Sequence, residues 1–118
     1  MITTTLYTAY TIAAGVTVTC PKVINLRQAE YGIFTLHLIL TGDGTLTITY
    51  LLAHDGVHFL TPVTASEIVV DFSKTSGPGS DGIDLIPFDL ELAPQLKLKF
   101  EETSTTDAVV VTAIVATH

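Results

Sequence analysis

The chain has no tryptophan, a single cysteine and only five basic residues, and each scarcity closes off a class of function. Without tryptophan, any aromatic platform for a sugar ring has to come from tyrosine or phenylalanine. The lone Cys20 excludes an internal disulfide and any Cys-x-x-Cys pair. It stands before Pro21 at the end of a strand-like run and reads as a small buried hydrophobe. Five basic residues against 12 acidic ones leave a formal net charge of −7, which repels phosphate backbones and argues against general electrostatic binding of nucleic acid. Long apolar runs are missing as well. The composition is 47% hydrophobic and 14% charged, with a mean hydropathy of +0.52. Yet threonine interrupts every stretch before the ~18 residues of a membrane helix are reached.

Processing and catalytic signals are equally sparse. The opening stretch "MITTTLYTAYTIAAGVTVTC" has neither the basic start nor the continuous apolar segment of a signal peptide, so it reads as mature protein made without export. Asn25 is followed by Leu26 and Arg27 and is not a glycosylation acceptor. Gly-x-Ser-x-Gly, a phosphate-binding glycine loop and His-Glu-x-x-His do not occur. No catalytic residue, metal ligand or cofactor is assigned, and the expectation is that the chain is not an enzyme. A Ser/His/Asp set assembled from distant residues would leave no signature to read.

What is present is β-structure. Alternation with a period of two and an abundance of β-branched residues predict strands over 2–12, 15–20, 33–41, 45–53, 57–60, 66–73, 83–92, 96–102 and 108–117. Only "INLRQAEYG", residues 24–32, has room for a helical turn or two. Short strands at this spacing predict an all-β, antiparallel β-sandwich of jelly-roll-like type. At 118 residues it is a single domain over 1–118, burying roughly 65% of its unfolded surface. Residues 1–12 form an edge strand or an N-terminal arm reaching a neighbouring chain.

Register arithmetic predicts two hairpins and a tight turn. A three-residue loop Gly42–Gly44, with Gly44 left-handed, pairs Leu40 with Leu46, Leu38 with Ile48 and Leu36 with Tyr50. A loop at 93–95 pairs Leu92 with Leu96, Leu90 with Leu98 and Phe88 with Phe100. It also sets Glu91 against Lys97 and Asp89 against Lys99, unless Pro94 turns a corner between sheets. That charge pairing outweighs a glycosidase-like carboxylate pair, because the lysines would lower the pKa such chemistry needs raised. In "AHDGVHF" a two-residue Asp55-Gly56 turn pairs Leu52 with Phe59 and sends His54 and His58 to opposite faces, where one metal cannot collect both. Asp81, near the end of the loop "SKTSGPGSDG", and Asp84, just after it, lack the ligand spacing of a calcium loop; they read as a solvated turn.

The surplus of apolar residues remains. "DAVVVTAIVATH" is apolar on both faces, with Val109, Val111, Ala113 and Val115 on one and Val110, Ile114 and Ala116 on the other. Ile39, Leu51, Leu60 and Val69 also fall on faces that alternation leaves outside. Gathered into one patch, such residues mark an interface. The alternative is that 108–117 is a central strand covered by the N-terminal segment.

"GTLTITYLLAHDGVHF" and "PFDLELAPQLKLKFEET" resemble small β-sandwich structural proteins of tailed bacteriophages, in which a strand, an Asp-Gly turn and an aromatic are followed by an aromatic-led strand and a closing leucine-lysine-leucine strand. The resemblance implies a capsid decoration protein or another head or tail component, located in the virion and free of catalysis. Its partners would be itself, as a homo-oligomer such as a trimer, and a capsid or other virion protein. It carries over no functional residue, since the shared positions are turn and core positions. Extracellular jelly-roll modules share the Asp-Gly-x-x-Phe turn, so a carbohydrate-binding module stands beside this reading. Its platforms would be Tyr7, Tyr10 or Tyr31, with calcium near Asp81 and Asp84.

Overall fold

Alternation sorts the side chains of almost every strand into a core set and an outer set. The computed structural model describes residues 2–25, 34–62, 67–88 and 95–117. Nine strands run through them: β1 (Ile2–Ile12), β2 (Thr17–Thr19), β3 (Ile24–Asn25), β4 (Phe34–Gly42), β5 (Leu46–Ala53), β6 (Glu67–Phe72), β7 (Ile83–Phe88), β8 (Gln95–Glu102) and β9 (Val109–Thr117). All pair antiparallel. One sheet has the order β1-β9-β4-β7, the other β2-β8-β5-β6, with β3 also lying along β8.

β2 and β3 occupy one strand position on β8, interrupted at Cys20–Val23. Each sheet therefore has four positions. Successive strand positions change sheet at every step except from β5 to β6, which is the path of a jelly roll. The expected antiparallel β-sandwich of jelly-roll type is thus the fold observed.

The inner faces meet in one core. Leu36, Leu38, Leu40, Val109, Val111, Ala113 and Val115 come from the first sheet, and Leu46, Ile48, Leu96, Leu98 and Phe100 from the second; all are at most 1% exposed. Each large aliphatic or aromatic side chain buried this way stabilises the fold by about 1.5–3 kcal/mol relative to exposure. Cys20 lies fully buried among them, its thiol facing the Leu6 carbonyl oxygen at 3.8 Å.

Both predicted hairpins are overturned. β4 and β5 belong to different sheets: Leu40, Leu38 and Leu36 oppose Val111, Ala113 and Val115 of β9, while Leu46, Ile48 and Tyr50 oppose Glu102, Phe100 and Leu98 of β8. The predicted apolar faces do point inward, but they meet across the sandwich and not side by side. The chain turns a corner, and the positive φ of 93° belongs to Gly42, with Gly44 outside the left-handed region. A Cβ at Gly42 would stand 2.7 Å from the Ala108 carbonyl oxygen. β7 and β8 are likewise in different sheets, so Phe88 opposes Phe34 and Phe100 opposes Ile48. Lys97 and Lys99 oppose Leu51 and Thr49; Glu91 and Asp89, their predicted partners, lie outside the described residues.

Two shorter assignments also change. Residues 57–60 supply only an isolated bridge, Leu52 to Leu60, in place of the predicted Leu52–Phe59 pair. Ile24 and Asn25, expected to open a helical segment, pair as strand with Leu96 and Gln95; 26–33 lie outside the described residues, as do 89–94.

Candidate interaction surface

Register places the outward residues of the β1-β9-β4-β7 sheet in four rows. They read Thr3–Ala116–Thr35–Pro87, Thr5–Ile114–His37–Leu85, Thr112–Ile39–Ile83 and Thr11–Val110–Thr41. None of these residues is a carboxylate, lysine or arginine. The one carboxylate in the four strands, Asp84, opposes Leu38 and so belongs to the inward side. Leu85 is 63% exposed and Ile83 41%; Ile39, His37, Ile114 and Ala116 are half-buried by their neighbours. The expected patch thus exists in part: Ile39, Val110, Ile114 and Ala116 gather here. β9 is nevertheless a central strand between β1 and β4.

The other sheet differs in chemistry. Its outer rows carry Thr17–Glu101–Thr47, Thr19–Lys99–Thr49–Glu67 and Lys97–Leu51, with the Lys97 ammonium 4.4 Å from the Phe59 ring centroid. Val69 packs against the core and Leu60 is exposed beside the chain reversal. These two and Leu51 therefore do not join the first patch.

Sheet edges are blunted. On β7, Pro87 has no N–H to offer and Asp84 accepts the Leu85 N–H at 2.8 Å. Along β1, register shifts surround Ala9, whose φ is 47°. The Lys22 ammonium donates to the Thr5 carbonyl oxygen. On β6, Asp71 takes a φ of 51° beside further register shifts. Bulges, proline and charge at edges all oppose strand-to-strand addition.

Among the described residues, those that look chemical in the sequence form no convergent site. Asp55 accepts from the Val57 and His58 backbone N–H groups at 2.9 and 2.8 Å and contacts the His58 ring. Contact with His58, then these N–H donors, holds its carboxyl far below the usual range. Such an arrangement is an Asx-type turn, and His54 points to solvent beside it. Asp81 accepts from Ile83 N–H at 3.2 Å, again a turn contact. Among the described residues no three His, Cys, Asp or Glu side chains gather as a metal site. Tyr7 stacks on Tyr10 at 4.4 Å and meets Phe100 edge-on at 5.0 Å. Burial, then Cys20, pushes its phenol up to about 12. Tyr10 alone of this pair is exposed, and Tyr31 lies outside the described residues.

Sequence reading missed Glu102. It is 1% exposed, and its carboxylate accepts from Gly15 N–H (3.1 Å), Thr45 N–H (2.8 Å), Ser104 N–H and hydroxyl (both 2.9 Å) and Thr105 N–H (2.7 Å). Burial pushes the carboxyl upward, but the donors outweigh it and hold it down to about 2. Three loops are thereby tied at one end of the sandwich. The signal was available: Glu102 falls in phase with Leu96, Leu98 and Phe100, so alternation alone points it inward.

No known family's sequence pattern matches the chain, and no curated protein matches it by sequence. Solved structures do match. Over 97% of the chain, the fold superposes on the VP2 protein of an infectious bursal disease virus subviral particle, with a TM-score of 0.58 at 17% identity. A point mutant of the same protein, in derived T=1 particles, gives 0.52 at 14% identity, also over 97% of the chain. The chain spans 31% and 30% of the length of those VP2 chains. What it shares with these viral particle proteins is the fold.

Proposed function

We propose that the chain is a non-catalytic structural protein of a virus particle. It acts as a capsid decoration or other shell component, on a tailed phage, through contacts with copies of itself and with another virion protein. The observation that carries this reading is a jelly-roll strand order with one outer sheet face free of charge. VP2, whose fold it shares, is described in particles, which supports a shell role. The resemblance of "GTLTITYLLAHDGVHF" and "PFDLELAPQLKLKFEET" to phage structural proteins points the same way. Synthesis in the host cytoplasm follows from this reading.

Native mass spectrometry of the purified chain, with and without EDTA, tests it. A closed, metal-free oligomer is expected. A monomer that retains a divalent ion and binds glycans only without chelator would overturn the reading in favour of a ligand-binding module.

A further inference from the structure

We infer that the outer face of the β1-β9-β4-β7 sheet is a self-association surface, covered by the same face of a second copy in a two-fold dimer. The inference rests on the self-association within the proposed function, and it names the surface and the symmetry.

Charge selects the occupant. The chain carries a net −7, so two copies repel wherever their acidic surfaces meet. The opposite sheet presents Glu67 and Glu101 interleaved with Lys97 and Lys99, so contact through it depends on matching charges between the copies. Asp43, Asp55, Asp71 and Asp81 are exposed on or beside the loops. Among the described residues, the four rows around Ile39, His37 and Leu85 are the broad approach that involves no charged side chain. The same neutrality gives a charged partner nothing to pair with. The surface that matches an uncharged, apolar centre fringed by threonine is one of the same composition, and an isologous contact supplies it.

Size suits a weak, concentration-dependent dimer. Fourteen outward positions, each covering about 4.8 × 6.8 Å, make a face of about 450 Å². Two such faces bury about 900 Å², the range of weak or transient interfaces. The blunted edges at Pro87, Asp84, Lys22 and Ala9 oppose extension of this sheet by adding strand to strand. Contact through the face has Leu85, Ile83 and Ile39 as anchors.

Sedimentation velocity and native mass spectrometry across a concentration series test this on wild type, Leu85→Asp, Ile39→Asp and the off-face control Val57→Asp. Leu85 and Val57 are 63% and 73% exposed, so both of these variants should keep the wild-type circular dichroism and melting profile. A dimer is expected for wild type and Val57→Asp, with Leu85→Asp raising the dissociation constant by about 30-fold or more. A wild-type oligomer that persists unchanged in a folded Leu85→Asp variant overturns the surface and leaves self-assembly standing. A trimer overturns the two-fold symmetry. A wild-type monomer at every concentration overturns both the surface and the self-association it rests on.

Discussion

At the scale of single residues, Glu102 is the most consequential group in the chain. A buried carboxylate is costly unless donors surround it, and here five donors converge from three loops. Glu102→Gln replaces one acceptor oxygen with an amide that faces N–H donors, so stability at pH 7 should fall by about 2–3 kcal/mol in urea unfolding. The pH dependence has a definite sign. The folded pKa lies below the ordinary value of 4.5, at about 2, so the stabilisation is complete above pH ~4.5 and disappears as pH falls toward ~2. The gap between wild type and Glu102→Gln should close over that window, and a gap that stays constant would show that the charge contributes nothing. Gly44→Ala probes the same site by space: an added Cβ would stand 2.5 Å from the Asp107 carbonyl oxygen and 2.8 Å from Glu102 Oε2. A loss comparable to that of Glu102→Gln is expected in the same urea titration.

At the scale of elements, the sequence shows which face of a strand is inward far better than which strand lies beside it. Leu36, Leu38 and Leu40 had to point to the core, as did Leu46, Ile48 and Tyr50, and all are buried. Alternation is satisfied equally by neighbours in one sheet and by partners across a sandwich, so the corner at Gly42 could not be told from a hairpin loop by register alone. The interaction face was half legible for the same reason. Val110, Ile114 and Ile39 announced themselves as apolar and outward. Leu85 and Ile83 could join them only once β7 was known to pair with β4. β1 makes a testable case, since it lies along β9 and contributes Leu6 and Ile12 to the core. Deleting residues 2–12 should abolish cooperative unfolding of the isolated chain. A truncated chain that melts cooperatively would instead mark the segment as dispensable to the sandwich and free to serve as an arm.

For the whole molecule, the net charge of −7 sets how association must respond to salt. The principal extents are 37 × 27 × 24 Å, so two copies meeting face to face bring their centres to about one short axis apart. At 0.01 M salt the screening length is about 30 Å, and repulsion between two such net charges costs about 4 kcal/mol. At 0.15 M it is about 8 Å, and less than about 1 kcal/mol of that cost remains. An uncharged contact face has no attractive ion pairs for salt to weaken. Raising salt from 0.01 to 0.15 M should therefore tighten self-association by at least about tenfold, measured by sedimentation equilibrium. Association driven by oppositely charged patches on the two copies would respond in the opposite sense, because the same ions would screen the attraction. The direction of the salt response thus reports whether the chain assembles through its neutral sheet face or through its charged surface.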